Sequence, residues 1–193
     1  MNLSPFIQLC HRRWNIPVLA LLHRHRGCKF VFLAFQLGLS RDSLSRGLHH
    51  LIGLGLVRRN PGYGHPLRPE YLLTPGAAGL AGSLAPLWEW IRHEGGEEVL
   101  LKKWSLPVLA ATGEGYPRFS ALKQALPGIS PRALTLALKE LASAGWLVRG
   151  VTGGYPPNSF YRPSQLAGPM QPLLRAVIRS LPASVTSQDE SNA

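Results

Sequence analysis

The segment Ser130 to Trp146, SPRALTLALKELASAGW, is echoed ninety positions earlier by Ser40 to Leu56, SRDSLSRGLHHLIGLGL. Each copy opens on a serine suited to capping a helix, and in the later copy Pro131 follows at the favoured first helical position. Leucines then recur at i, i+4 and i+7, as Leu44, Leu48 and Leu51 and as Leu134, Leu138 and Leu141. That spacing makes one buried stripe on a short amphipathic helix. Each helix stops at a glycine, Gly55 or Gly145, before a short apolar and basic run, LVRR or WLVR. A capped helix, a glycine stop and a β-like run is how the reading helix of a winged helix-turn-helix passes to its wing. The echo predicts two such units, and so a mainly α chain with small β wings.

The rest of the chain falls into step with the echo. Ser4-Pro5 reads as a helix start, with Phe6, Ile7, Leu9 and Cys10 on its apolar side. His11-Arg12-Arg13 leads to Trp14, Asn15 is placed as the cap of a second helix ending before Gly27, and 30–37 reads as a short third helix ahead of the Gly38-Leu39 turn. Leu56 to Arg59 and Glu70 to Leu73 read as the wing strands around a turn-rich tip. Thr74-Pro75 opens a helix with Leu80, Leu84, Leu87 and Ile91 on one face, and Gly95-Gly96 is read as a linker. The pattern then repeats. Glu97 to Lys103 leads helically to Trp104, which matches Trp14, while Ser105 matches Asn15. Phe119, Leu122 and Leu126 match Phe30, Leu33 and Leu37. Leu147 to Val151 is the strand, Phe160-Tyr161 matches Glu70-Tyr71, and the last helix is given the stripe Leu166, Met170, Leu173 and Val177. The expected domains are 1–94 and 95–181, two tandem winged helix-turn-helix units forming a pseudo-dimer. A polar tail, 182–193, is expected to be disordered.

These residues resemble the HxlR-type winged helix-turn-helix transcriptional regulators. The later copy carries Phe119-Ser120-Ala121-Leu122, then LPGISPRALT, then Leu138-Lys139-Glu140-Leu141 and Gly145. The earlier copy carries the wing Pro66 to Thr74, PLRPEYLLT, and the aromatic helix Leu87-Trp88-Glu89-Trp90. The resemblance implies a DNA-binding regulator. It also implies that a homodimer, joined in the family by terminal helices, is here fused into one chain. Three departures accompany it: two copies stand in one chain where the family pattern has one, Asn158 stands where the first wing has Arg68, and the redox role of the family's cysteine is not carried over to Cys10.

The leucine stripe decides what is left to face DNA. On the first reading helix Arg41, Asp42, Ser43, Arg46, His49 and His50 are expected outside, with Ser40 at its start. On the second, Ser130, Arg132, Thr135 and Lys139 are expected there, together with Leu136 and Ala137. Arginine reads guanine edges, and serine suits phosphate or base contacts. Arg58, Arg59, His65 and Arg68 on the first wing, and Arg149 on the second, are expected at phosphates. The 21 Lys and Arg against 10 Asp and Glu, net +11, suit a polyanionic partner. The charge is uneven: residues 1–96 hold 11 basic and 4 acidic side chains and residues 97–193 hold 10 and 6.

Other chemistries find little support. No GxSxG, phosphate loop or paired carboxylate occurs, so no enzyme activity is expected. Cys10, His11, His23, His25 and Cys28 have no closed metal-ligand spacing, and no metal or cofactor is expected. Two cysteines make no disulfide framework and fit a reducing cytosol. No apolar run reaches membrane-spanning length and the N-terminus lacks signal-peptide character, so a cytoplasmic chain with no membrane partner is expected. The reading is a sequence-specific binder of double-stranded DNA that acts as a monomer, with both reading helices on adjacent major grooves. The alternatives are a protein-interaction scaffold built on tandem winged helices and a non-specific nucleic-acid binder.

Overall fold

A computed structural model of the chain describes residues 2–60, 70–153, 158–182 and 185. The first run of elements is α1 (Ser4–Leu9), α2 (Asn15–His25), β1 (Cys28–Lys29), α3 (Phe30–Leu37), α4 (Arg41–Gly53), β2 (Val57–Asn60), β3 (Glu70–Leu73), a 3-10 turn at Pro75–Ala77 and α5 (Ala78–His93). The second is α6 (Glu97–Leu100), α7 (Ser105–Gly113), α8 (Phe119–Ala125), α9 (Pro131–Ser143), β4 (Leu147–Thr152), β5 (Asn158–Pro163) and α10 (Met170–Arg179). Glu97 to Lys103, expected as one helix, is helical only over α6.

The echoed segments form α4 and α9, each 13 residues long, and their ends are built alike. Ser40 Oγ accepts from Ser43 N at 3.3 Å, and Ser130 Oγ accepts from Ala133 N at 3.1 Å, so each serine satisfies one orphan donor of its first turn. At the other end Gly55 and Gly145 take φ of 69° and 78°, a region costly for any side chain with a Cβ. There Leu56 N donates to Leu51 O at 3.0 Å and Trp146 N to Leu141 O at 2.9 Å, the six-to-one bond of a Schellman stop. The chain turns directly from each helix into a strand.

β3 lies between β1 and β2, antiparallel to both, with Arg59 opposite Tyr71 and Cys28 opposite Tyr71 on its other edge. β1 was not anticipated. Two residues carry no periodicity of their own, and the strand exists because β3 offers it an edge. β4 and β5 pair from Leu147–Pro163 to Thr152–Asn158, and Arg118 bridges to Phe160 where a third strand would lie. Phe160 and Tyr161 thus occupy the strand positions expected of them.

One cluster of buried side chains runs from Leu3 to Val185. Leu80, Leu84, Leu87 and Ile91 are all fully buried, and α5 packs on α2 and on α10, while α10 also packs on α7. The stripe expected on the last helix is corrected. Leu166 is 42% exposed and Leu173 only partly buried, while Met170, Leu174 and Val177 are buried. A run of turns over 165–169 delays the helix to Met170, and Gly168-Pro169 resets its phase. Trp90 of α5 meets Trp146, just past α9, edge-on with ring centroids 5.6 Å apart. Of the expected Gly95-Gly96 linker, Gly96 is buried against Leu100 and the Trp146 ring, while Gly95 is exposed.

Asn15 is not a cap. It is the first residue of α2 and is buried, with Trp14 at the cap position. Its Nδ2 donates to Leu9 O at 2.8 Å and bonds His50 Nδ1 at 2.9 Å, so the side chain ties α1 to α4 through the start of α2. Ser105 is likewise the buried first residue of α7.

Candidate nucleic-acid interface

The two stripes fix which sides of α4 and α9 remain outside. Leu44, Leu48 and Leu51, and Leu134, Leu138 and Leu141, are at most 2% exposed. Gly47 and Ala137 are buried with them, because the face that packs is wider than the i, i+4, i+7 line. Ala137 is therefore corrected from an outside to an inside residue at 6% exposure, while Leu136 stays outside at 56%. His50 is also corrected, being half-buried against Asn15 rather than free on the surface.

The remaining predicted side chains divide by what already holds them. Arg41, Arg46, Arg132 and Lys139 are exposed, and among the described residues no carboxylate forms an ion pair with any of them. They are the cations left over for a partner. Ser40 and Ser130 spend their hydroxyls on caps, and Ser43 Oγ accepts from Ser40 Oγ at 3.0 Å. His49 Nδ1 sits 2.9 Å from Ser45 O, and Thr135 Oγ1 donates to Pro131 O at 2.9 Å, so both bond back onto their own helix. Arg58 and Arg59 are exposed on β2. Arg149 on β4 donates to Ser159 Oγ at 2.8 Å, across to β5. His65 and Arg68 lie outside the described residues.

Arg12 and Arg13 were passed over in the sequence and join the group here. With His11 and Trp14 they line one side of a cavity of ≈ 270 Å³ whose other side is Ser43, Arg46 and Gly47 of α4. The Arg13 guanidinium carbon lies 5.2 Å from the Trp14 ring centroid. The run His11-Arg12-Arg13 ahead of a tryptophan, matched by Lys102-Lys103 ahead of Trp104, is the signal that held them. Three guanidinium groups at one edge of α4 make a local positive field suited to phosphate. In the second run Lys102 is instead paired with Glu140 of α9 at 2.7 Å, with both side chains partly screened by solvent.

His50 connects this edge to the interior. Its ring stacks on His11, with centroids 5.5 Å apart. Burial, then His11 and Arg12, lower its pKa from 6.5 to about 4. Both protons of Asn15 Nδ2 are committed, one to Leu9 O and one to His50 Nδ1, so that nitrogen must be an acceptor and the ring neutral. A histidine kept neutral when folded leaves stability full above its ordinary 6.5 and erodes it as pH falls toward about 4. Discounted for its half-exposed position, the loss is on the order of 1 kcal/mol. Thermal unfolding at pH 7 and pH 4.5 is the check. His50→Gln is expected to lose less of its midpoint between the two than the parent chain, and an equal loss would remove His50 as the cause.

Cys10 and Cys28 are buried and form no disulfide with one another, and burial pushes the Cys10 thiol far up, away from thiolate reactivity. Among the described residues no helix is long and apolar enough to cross a membrane.

A family model described as HxlR-like helix-turn-helix matches residues 99–187. An uncharacterized HTH-type transcriptional regulator of Synechocystis sp. is 36% identical over 80 residues, 42% of this chain and 59% of that protein. Another from Methanothermobacter thermautotrophicus is 35% identical over 75 residues, 39% of this chain and 57% of that protein. The uncharacterized HTH-type transcriptional regulator YkvN of Bacillus subtilis is 32% identical over 79 residues, 41% of this chain and 67% of that protein. The chain thus spans less than two thirds of the first two relatives and 67% of the third.

Proposed function

The chain belongs to the HxlR-like helix-turn-helix family, and from that premise we propose that it is a sequence-specific regulator of transcription that binds double-stranded DNA with both α4 and α9. In this reading residues 1–94 and 95–181 are two winged helix-turn-helix units from an internal duplication, and they act as a pseudo-dimer within one monomeric chain. The observation that supports it is the packing of α5 on α10 within the chain, beside two helices that each leave outside cations with no ion pair among the described residues. The family resemblance assigns such terminal helices to the joint between subunits. Arg41 and Arg46 of α4 are the readers. Arg132 and Lys139 of α9, Arg58 and Arg59 of the first wing, Arg149 of the second wing, and Arg12 and Arg13 hold backbone.

The test is duplex binding at rising salt, followed by selection of bound sequences from a random pool. A steep loss of affinity with salt and one enriched motif are expected. No salt slope would favour the scaffold reading, to which the exposed Leu136 lends itself, and a slope without a motif would mean non-specific binding. Footprinting is expected to protect two unlike half-sites roughly 10 bp apart, centre to centre. Protection of one short half-site would remove α9 from recognition. Light scattering at micromolar concentration is expected to report a monomer, and an obligate dimer would refute the pseudo-dimer.

A further inference from the structure

A second cavity of ≈ 270 Å³ opens between α1, the residues ahead of α7 and the turn between α8 and α9. Ile7, Trp104 and Pro127 give it apolar walls, and Ser4, Gln8, His11, Lys103 and Gly128 complete it. Lys103 Nζ stands 4.9 Å from the centroid of the Trp104 ring, and among the described residues no carboxylate forms an ion pair with it. A comparable cavity of ≈ 320 Å³ lies elsewhere, lined in part by Trp14, Leu37, Arg92 and Glu97. Trp14 and Trp104, Leu37 and Pro127, and Ile7 and Glu97 each stand ninety positions apart. In that cavity the cation is answered, with Arg92 Nε 3.8 Å from Glu97 Oε1. In the first, Ile7 takes the place of the glutamate, and the cation over its aromatic wall meets no counter-ion among the described residues.

We propose that the cavity at Lys103 and Trp104 binds a small planar aromatic carboxylate, its ring against Trp104 and Ile7 and its carboxylate at Lys103, and that occupancy alters duplex binding. The size and the mixture of an aromatic wall with one placed cation suit a single-ring ligand. Burial, then the nearby charges of Lys103 and Arg12, lowers the pKa of His11, and those two cations leave the mouth with positive charge that a carboxylate would answer. The walls also touch both reading helices. Gly128 lies just ahead of Ser130, the cap of α9, and His11 stacks on His50 of α4. A ligand that fits one setting of these walls better than another biases both helices. This coupling rests on the reading that α4 and α9 meet DNA.

Calorimetry on the full chain tests the site directly with benzoate, benzyl alcohol and inorganic phosphate as probes. Benzoate is expected to bind at a ratio of one per chain, benzyl alcohol at least tenfold more weakly, and phosphate not measurably. Lys103→Gln is expected to weaken benzoate at least tenfold, while Lys103→Arg keeps most of the affinity. Benzoate binding no tighter than benzyl alcohol overturns the carboxylate assignment without any variant, and phosphate binding as well as benzoate overturns the aromatic one. Duplex titration with and without saturating benzoate then tests the coupling, with a change of at least fivefold expected. Unchanged duplex affinity overturns it. A chain that binds benzoate but no duplex overturns the DNA reading, and the coupling with it, while the ligand site stands.

Discussion

Replacing Arg41 and Arg46 together by alanine is expected to remove nearly all sequence preference, while Arg132→Ala with Lys139→Ala mainly lowers affinity for every duplex. The first pair is exposed on α4 beside Arg12 and Arg13, which keep the local field positive when the readers are gone. Each bidentate arginine–guanine pair is worth about 1–3 kcal/mol of discrimination, so two lost together cost roughly thirtyfold in specificity at the least. The second pair lies on a helix whose exposed face is partly given to Leu136, 56% accessible, and whose Lys102 neighbour is tied to Glu140. Loss of two phosphate contacts there should flatten the salt slope by about two. The measurement is a titration of cognate and scrambled duplexes, with the salt series run alongside. If the Arg132/Lys139 variant loses discrimination and the Arg41/Arg46 variant keeps it, the roles of reader and anchor are reversed.

The second large effect is on stability and separates two leucines on one helix. Leu134→Ala should cost about 2–5 kcal/mol, because a fully buried side chain leaves a cavity that the surrounding core closes only in part. Leu136→Ala should stay within about 0.5 kcal/mol, since its side chain is more than half in water and alanine is the better helix former. Urea unfolding of the two variants, read at the midpoint, decides the matter. Equal losses would mean that Leu136 is covered by something in solution, such as a second chain.

That pair also marks how far the sequence could be read. Leucines at i, i+4 and i+7 placed α4 and α9, and the serine and glycine at their ends placed the boundaries, because caps and stops are local chemistry. Ala137 went to the wrong side because a narrow stripe was drawn where the helix buries a wider face. His50 looked polar and free, yet its partner Asn15 lies 35 positions away and can be found only once α2 crosses α4. The two residues of β1 have no pattern to read and take their form from β3. The last helix was displaced by a Gly168-Pro169 turn that resets helical phase, so Leu174 holds the buried place expected of Leu173. Of the residues proposed to meet DNA, Arg12 and Arg13 were missed because no helix predicted from the sequence contains them. They reach α4 only through the chain's path ahead of Trp14.

The meeting of α5 and α10 has a consequence at low copy number. Two subunits that join in solution come apart as they are diluted, and the share still joined shrinks with their concentration. Here the two helices belong to one polymer, and the connecting chain holds each near the other at an effective concentration on the order of millimolar, whatever the number of molecules in the cell. Their docking is a first-order event that dilution does not touch. On the proposed reading, occupancy of a DNA site would fall in simple proportion to the number of chains, not as its square.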